Sequence, residues 1–269
     1  MCHSFNQSLD GWNTSAAREM QYMFMDAFSF DMPVDHFIVD NLESLQCMFR
    51  GAFKFNRPLD NWNVANVSNM ANTFENCGSF NQPLNSWDTS GVNNLSQMFA
   101  GAAAFNQDIS SWDVSNVTCL NNTFAGAGAF NQDLSAWDVG LVQNFAETFR
   151  GASSSNQPIG TWTVANAYAM NRMFMDAISF NMPIGEWDTR STHDMRDMFS
   201  GAVAFNQHLG EWDVSEVRNM SGMFRDATSF NRSLSRWNLG SGLWAFQDMF
   251  EGADAYTHGD LTKRENNAG

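Results

Sequence analysis

Cationic side chains are scarce in this chain. Its 14 Lys and Arg face 29 Asp and Glu, a formal net charge of −15. Between Arg57 and Arg150 there is no Lys or Arg at all, while Asp60, Glu75, Asp88, Asp108, Asp113, Asp133, Asp138 and Glu147 fall there. Phosphate binding needs a concentrated basic face, so nucleic acid is excluded as a partner. No apolar run approaches the roughly 18 residues of a membrane-spanning helix, and no secretory leader is recognisable. Cysteine is sparse too: Cys2, Cys47, Cys77 and Cys119 show no disulfide spacing. His3, His36, His193, His208 and His258 show no metal-ligand spacing. Gly-rich phosphate loops and nucleophile elbows are missing. These absences leave an enzyme, a bound cofactor and a resident metal without a supporting constellation.

What is present is a phrase said again every 25 residues, clearest at Phe105-Asn-Gln-Asp-Ile109-Ser-Ser-Trp112-Asp-Val114-Ser-Asn-Val117. Phenylalanine recurs from Phe5 to Phe230, with Ser155 out of step, and tryptophan from Trp12 to Trp237, with Phe37 standing in once. A fixed period of this length predicts a solenoid, whose repeats bury their apolar faces against one another and present long surfaces. The repeat runs over residues 1–255 as one domain, and 256–269 reads as a degenerate final unit or tail. Met1 falls inside a repeat, so the first unit is expected to be incomplete.

Within one unit the apolar positions are Ile109, Trp112, Val114, Val117, Leu120, Phe124, Ala127 and Phe130. The spacing of two from Trp112 to Val114 predicts a short strand. The spacings of three and four that follow predict an amphipathic helix, with Ser115 at its N-cap. The column Asp26, Gly51, Asn76, Gly101, Gly126, Gly151, Asp176, Gly201, Asp226, Gly252 contains only Gly, Asn and Asp. It predicts a left-handed residue closing that helix. All five prolines share one column before the buried Leu/Ile position, which implies a backbone N–H not needed for pairing.

Leu-x-x-Trp-x-Val-x-x-Val resembles the leucine-rich-repeat frame. The fuller phrase Phe-Asn-Gln-x-Leu-x-x-Trp-Asp-Val-Ser-x-Val-x-x-Met is similar to the repeats of BspA-like surface proteins, found in bacterial lipoproteins and some unicellular algae. The resemblance implies an α/β fold: a right-handed leucine-rich-repeat solenoid of about ten strand–helix units, with parallel strands on the concave face. It also implies a location at the cell surface or membrane, and adhesion or partner binding.

Asn6, Asn56, Asn81, Asn106 and their equivalents follow the core aromatic and are expected to form an amide ladder down the stack, since an unpaired polar group beside the core costs about 1–3 kcal/mol. The recurrent Met and Trp columns read as packing. Between Trp and Val a second polar column carries Asp88, Asp113 and Asp138, then Asp188 and Asp213. These carboxylates serve neighbouring backbone, form a polar contact surface, or repel one another and gather Ca²⁺. Ser155 predicts a locally thinner core. After Trp237 one residue is inserted, and Trp244 there is either a makeshift cap or a docking anchor. Two functions follow. One is a non-enzymatic protein-interaction or structural module, an adhesin or the scaffold subunit of a larger assembly, whose partner has a basic docking patch. The other is a divalent-cation or surface binder built on the Asp row.

Overall fold

The computed structural model describes residues 3–259 and 261. Each 25-residue phrase forms one coil, and each coil lies against the next. Among the described residues there is no helix and no extended strand. The regular pairing is a line of isolated parallel bridges, from Ser44–Asn69 through Asn94–Cys119 to Asn219–Ala245. The expected α/β strand–helix solenoid is therefore overturned: the chain is a stack of coils built from turns.

The helix fails because its amides are engaged elsewhere. Leu120, Asn122, Phe124 and Gly126 donate their N–H groups to the carbonyls of Asn144, Ala146, Thr148 and Arg150 in the next coil, at 2.6–3.1 Å. Alternating with them, Thr123, Ala125 and Ala127 close tight turns onto Leu120, Asn122 and Phe124. This alternation puts two residues of every coil in the left-handed region, here Asn122 (φ 57°) and Gly126 (φ 70°). A backbone that turns back every three residues also places residues i and i+3 on one side. The apolar stripe therefore had the spacing of a helix without being one. The Gly/Asn/Asp column is left-handed as expected, yet it continues a series of turns and ends no helix.

The strand prediction fails for a similar reason. Trp112 N–H bonds the Ile109 carbonyl, Val117 N–H bonds Val114, and Ser115 N–H is taken by the Asp113 carboxylate. Little of that segment remains to pair with a neighbour, and Ser115 caps nothing. The parallel bridges form seven residues further on, at Cys119 and its equivalents.

The core is a set of ladders. Phe80, Phe105 and Phe130 stack at 6.0 Å from coil to coil, and Phe74, Phe99 and Phe124 at 5.8 Å. Within a coil, Phe99 and Phe105 stack at 3.9 Å, joining the two columns. The coil-to-coil separations fall in the range favoured by aromatic pairs. Tyr256 continues the first ladder against Phe230 at 5.9 Å, and Leu261 is buried; the rest of the expected tail, Asp260 and 262–269, lies outside the described residues, as does Cys2.

Polar ladders run beside the aromatic ones. Each buried indole N–H donates to a carbonyl of the preceding coil: Trp112 to Leu84, Trp137 to Ile109, and likewise from Trp62 to Trp237. The amide ladder is as expected, with Asn81 Oδ1 accepting from Asn106 N–H and Asn106 Oδ1 from Asn131 N–H, both at 2.9 Å. The side chain of Gln107 adds a second donor to Asn81. In the proline column, the backbone N–H of Asp108 and of Asp133 donates to no carbonyl, which explains why proline is tolerated there.

The break at Ser155 is buried, its hydroxyl bonded to the Phe130 carbonyl at 2.9 Å. Two residues later Gln157 is also buried, and its Oε1 has no partner. Its equivalents Gln107 and Gln132 stand half-exposed, so Gln157 is drawn inward where the ring is missing. Ser155→Phe is expected to restore the aromatic ladder and raise stability by about 1 kcal/mol, read as a higher urea midpoint; a lower midpoint means that the gap has already closed. Trp112→Phe keeps a ring, as Phe37 does natively, but removes the indole donor from the Leu84 carbonyl, which keeps only the Trp87 N–H. It is expected to cost roughly 1 kcal/mol in the same measurement.

Candidate interaction surfaces

The structure places Asp88, Asp113, Asp138, Asp188 and Asp213 in one exposed column, each at the start of a tight turn. Each carboxylate accepts a hydrogen bond from the backbone N–H two residues on. Asp113 takes both the N–H and the hydroxyl of Ser115, at 3.0 and 2.7 Å. Asp88 does the same with Ser90, and Asp138 takes Gly140 N–H. Asn13 and Asn63 occupy the column in other coils and accept the same backbone bond. The column's first task is thus to hold a turn.

At Asp88, Asp113, Asp188 and Asp213 the pKa moves downward, against the expected mutual repulsion. Hydrogen bonds from Ser90 hold the Asp88 carboxyl below its ordinary range, and those from Ser115 do so for Asp113. For Asp113 the opposing effect of Asp88 is the weakest of the contributions. Asp188 is lowered mainly by the guanidinium of Arg190, paired with it at 2.6 Å, and Asp213 mainly by Ser215. Hydrogen bonding to the charged form outweighs like-charge repulsion across exposed coils. Among the described residues, no three His, Cys, Asp or Glu side chains gather in a way that could hold a metal ion.

Trp244 belongs to a different column, the one just before the bridges. Its backbone N–H donates to the Arg218 carbonyl at 3.0 Å, Arg218 N–H to His193, His193 N–H to Tyr168, and Tyr168 N–H to Gln143. The row continues as Thr118, Asn93, Ser68 and Glu43. The inserted residue is accommodated between Trp237 and Trp244, so Asn219 pairs with Ala245 and the register is recovered. Gly240 lies where a Cβ would run into the Ser215 carbonyl oxygen, so the detour hugs the preceding coil. Trp244 itself is 71% exposed. An aromatic side chain therefore stands in solvent at this position.

Sequence reasoning singled out Trp244 without its neighbours. Tyr168, His193 and Arg218 follow it along one row, and Tyr168 is also exposed. Aligning the last unit across its insertion would have revealed them, because only then does Trp244 fall under Arg218. The acidic half of the same row carries only small or polar side chains.

Cys47, Cys77 and Cys119 are free, and burial pushes the Cys47 and Cys77 thiols upward. The Cys77 thiol donates to the Phe49 carbonyl, and the half-buried Cys119 thiol to Asn121 Oδ1. Among the described residues, no helix is long and apolar enough to cross a membrane.

The lowered pKa of Asp113 has a definite consequence. A carboxylate whose folded pKa is depressed stabilises the fold above its unfolded pKa and loses that contribution as pH falls through the folded value. The thermal midpoint of wild type over Asp113→Ala is expected to be higher at pH 7, with the gap closing below about pH 4. Asp113→Asn keeps an accepting oxygen and is expected to show a flatter acid profile in that window. Millimolar Ca²⁺ is expected to leave the midpoint of both Asp113→Asn and wild type unchanged; a rise confined to wild type would restore the cation reading.

No curated protein matches the chain. A repeat family described as Mycoplasma protein of unknown function, DUF285, matches it three times in overlapping segments, residues 1–86, 68–182 and 155–263. Its matched segments follow one another through nearly every coil of the stack, and the chain belongs to that family.

Proposed function

We propose that this chain is a non-enzymatic protein-interaction or structural module, acting as a surface adhesin or as the scaffold subunit of a larger assembly. The observation that carries the reading is the row ending in Arg218 and Trp244. Interior side chains and inter-coil amides are committed to the stack, whereas this row holds large aromatic and cationic side chains out in solvent. Trp, Tyr and Arg are the residue types that concentrate binding energy at protein interfaces. A stack of near-identical coils repeats each outward position at about 4.8 Å intervals, which suits an extended partner. The similarity of the phrase to BspA-like surface repeats supports a place at the cell surface. The alternative, a cation or surface binder using Asp88, Asp113 and Asp138, gains no support from the geometry, because those carboxylates are engaged by their own turns.

The test is affinity capture at low salt from the source cell's surface fraction, run in parallel with wild type and Trp244→Ala. A partner retained by wild type and lost, by about tenfold or more, from the variant is the expected result. No specific partner with either protein would contradict the reading.

A further inference from the structure

The charge pattern of this row points to the chemistry of its partner. Many of the arginines are neutralised: Arg50 pairs with Glu75 at 2.6 Å, Arg57 with Asp31 at 2.8 Å, and Arg172 with Asp197 at 3.2 Å. Arg190, Arg225 and Arg236 likewise meet Asp188, Asp248 and Glu211. In a chain with twice as many acids as bases, that outcome needs no special explanation. Arg196 and Arg218, like Arg18 and Arg232, have no carboxylate within ion-pair distance among the described residues, and of these four only Arg218 lies in the row itself. The acids nearest in sequence are otherwise placed: Asp194 accepts the backbone N–H of Arg196.

Two further polar atoms at this place are left without partners. His193 Nδ1 and Arg196 Nε are both shielded from water, and neither makes a hydrogen bond. A shielded polar group without a partner costs about 1–3 kcal/mol. Tyr168 and Trp244, 49% and 71% exposed, stand at the two ends of the four-residue row. Apolar contact area at each end thus brackets His193 and the unpaired Arg218.

We propose that Tyr168, His193, Arg218 and Trp244, with Arg196 three residues on from His193, bind an acidic extended peptide segment of a partner protein. The inference deepens the protein-interaction reading and rests on it. Four rungs at about 4.8 Å span roughly 14 Å, which an extended peptide covers in about four to five residues. Carboxylates of the peptide meet Arg196 and Arg218, where planar guanidinium groups offer paired donors. Apolar side chains of the peptide rest on Tyr168 and Trp244. The partner's charge is negative at this row, and a basic docking patch on the partner, if present, faces the Lys/Arg-free middle of the stack instead. A polyphosphate backbone is disfavoured by the net charge of −15.

The test uses fluorescence anisotropy with dye-labelled, end-blocked hexapeptides: alternating Glu and Phe, alternating Gln and Phe, and alternating Glu and Ser. The Glu–Phe peptide is expected to bind about tenfold more tightly than either of the others at low salt. Arg218→Gln is expected to abolish the preference for Glu over Gln, and Trp244→Ala the preference for Phe over Ser. Lys54→Ala, which removes an exposed cation from another column, is expected to change neither. Equal binding of all three peptides overturns the proposal, as does indifference to both row variants. Absence of peptide binding, combined with a captured partner that Trp244→Ala loses, overturns the acidic-peptide assignment while leaving the protein-interaction reading in place. Row-dependent binding of polygalacturonate without peptide binding overturns it in favour of an anionic glycan.

Discussion

The forward hydrogen bond, from an inner amide to a carbonyl twenty-four residues ahead, is the interaction on which the rest of this structure depends. Phe99 N–H reaches Thr123, Phe124 reaches Thr148 and Phe149 reaches Met173, all at 2.9 Å. Once those amides are engaged between coils, no helix can form within one. The turns, the left-handed residues and the flat stacking of rings are the conformations that remain compatible with it. Each coil by itself buries little; its aromatic side chains are covered only when the next coil is in place. Stability should therefore be carried by neighbour contacts, as in other repeat architectures.

This arrangement has a conformational cost. The second left-handed column contains Tyr22, Cys47, Gln97, Glu147 and Arg172, residues that favour negative φ. Each adds strain on the order of 1 kcal/mol. The column excludes Val, Ile and Thr, whose branching at Cβ makes the same conformation costlier still. Indole bonds such as Trp112 to Leu84 and amide bonds such as Asn81 to Asn106 offset that strain by satisfying groups at the margin of the core. They also fix register, which the unit with an inserted residue recovers through its detour, so that Thr257 N–H still reaches Asn231 Oδ1.

The ladders were readable in the sequence because they demand the same residue in every coil: Phe for the stacks, Trp for the donor, Asn for the side-chain acceptor. The Gly/Asn/Asp column was readable for the same reason. Secondary structure was not, since tight turns and helices share an i to i+3 coincidence and the apolar stripe does not distinguish them. The column of Tyr22, Cys47 and Glu147 gave no signal, because backbone bonding imposes its geometry whatever the side chain. Of the candidate site, the Asp column was placed correctly as outward-facing, but its role in turns depended on the Ser115 and Ser90 donors. Trp244 was visible alone; its row with Tyr168, His193 and Arg218 was hidden by the one-residue detour that Gly240 permits.

Function in such a stack belongs to residues that the ladders leave free. Most outward positions are small and polar, which keeps the surface hydrated and the coils uniform. Large apolar side chains do stand out at Trp12, Phe28, Phe53, Leu141 and Ile178, and one row changes character after Gln143, where Tyr168, His193, Arg218 and Trp244 follow one another. The account stands or falls on the forward hydrogen bonds, and scalar coupling through hydrogen bonds in NMR detects them directly. The amide of Phe99 is predicted to couple to the carbonyl carbon of Thr123. Coupling to the carbonyl carbon of Leu95, four residues back, would show a helix and contradict it.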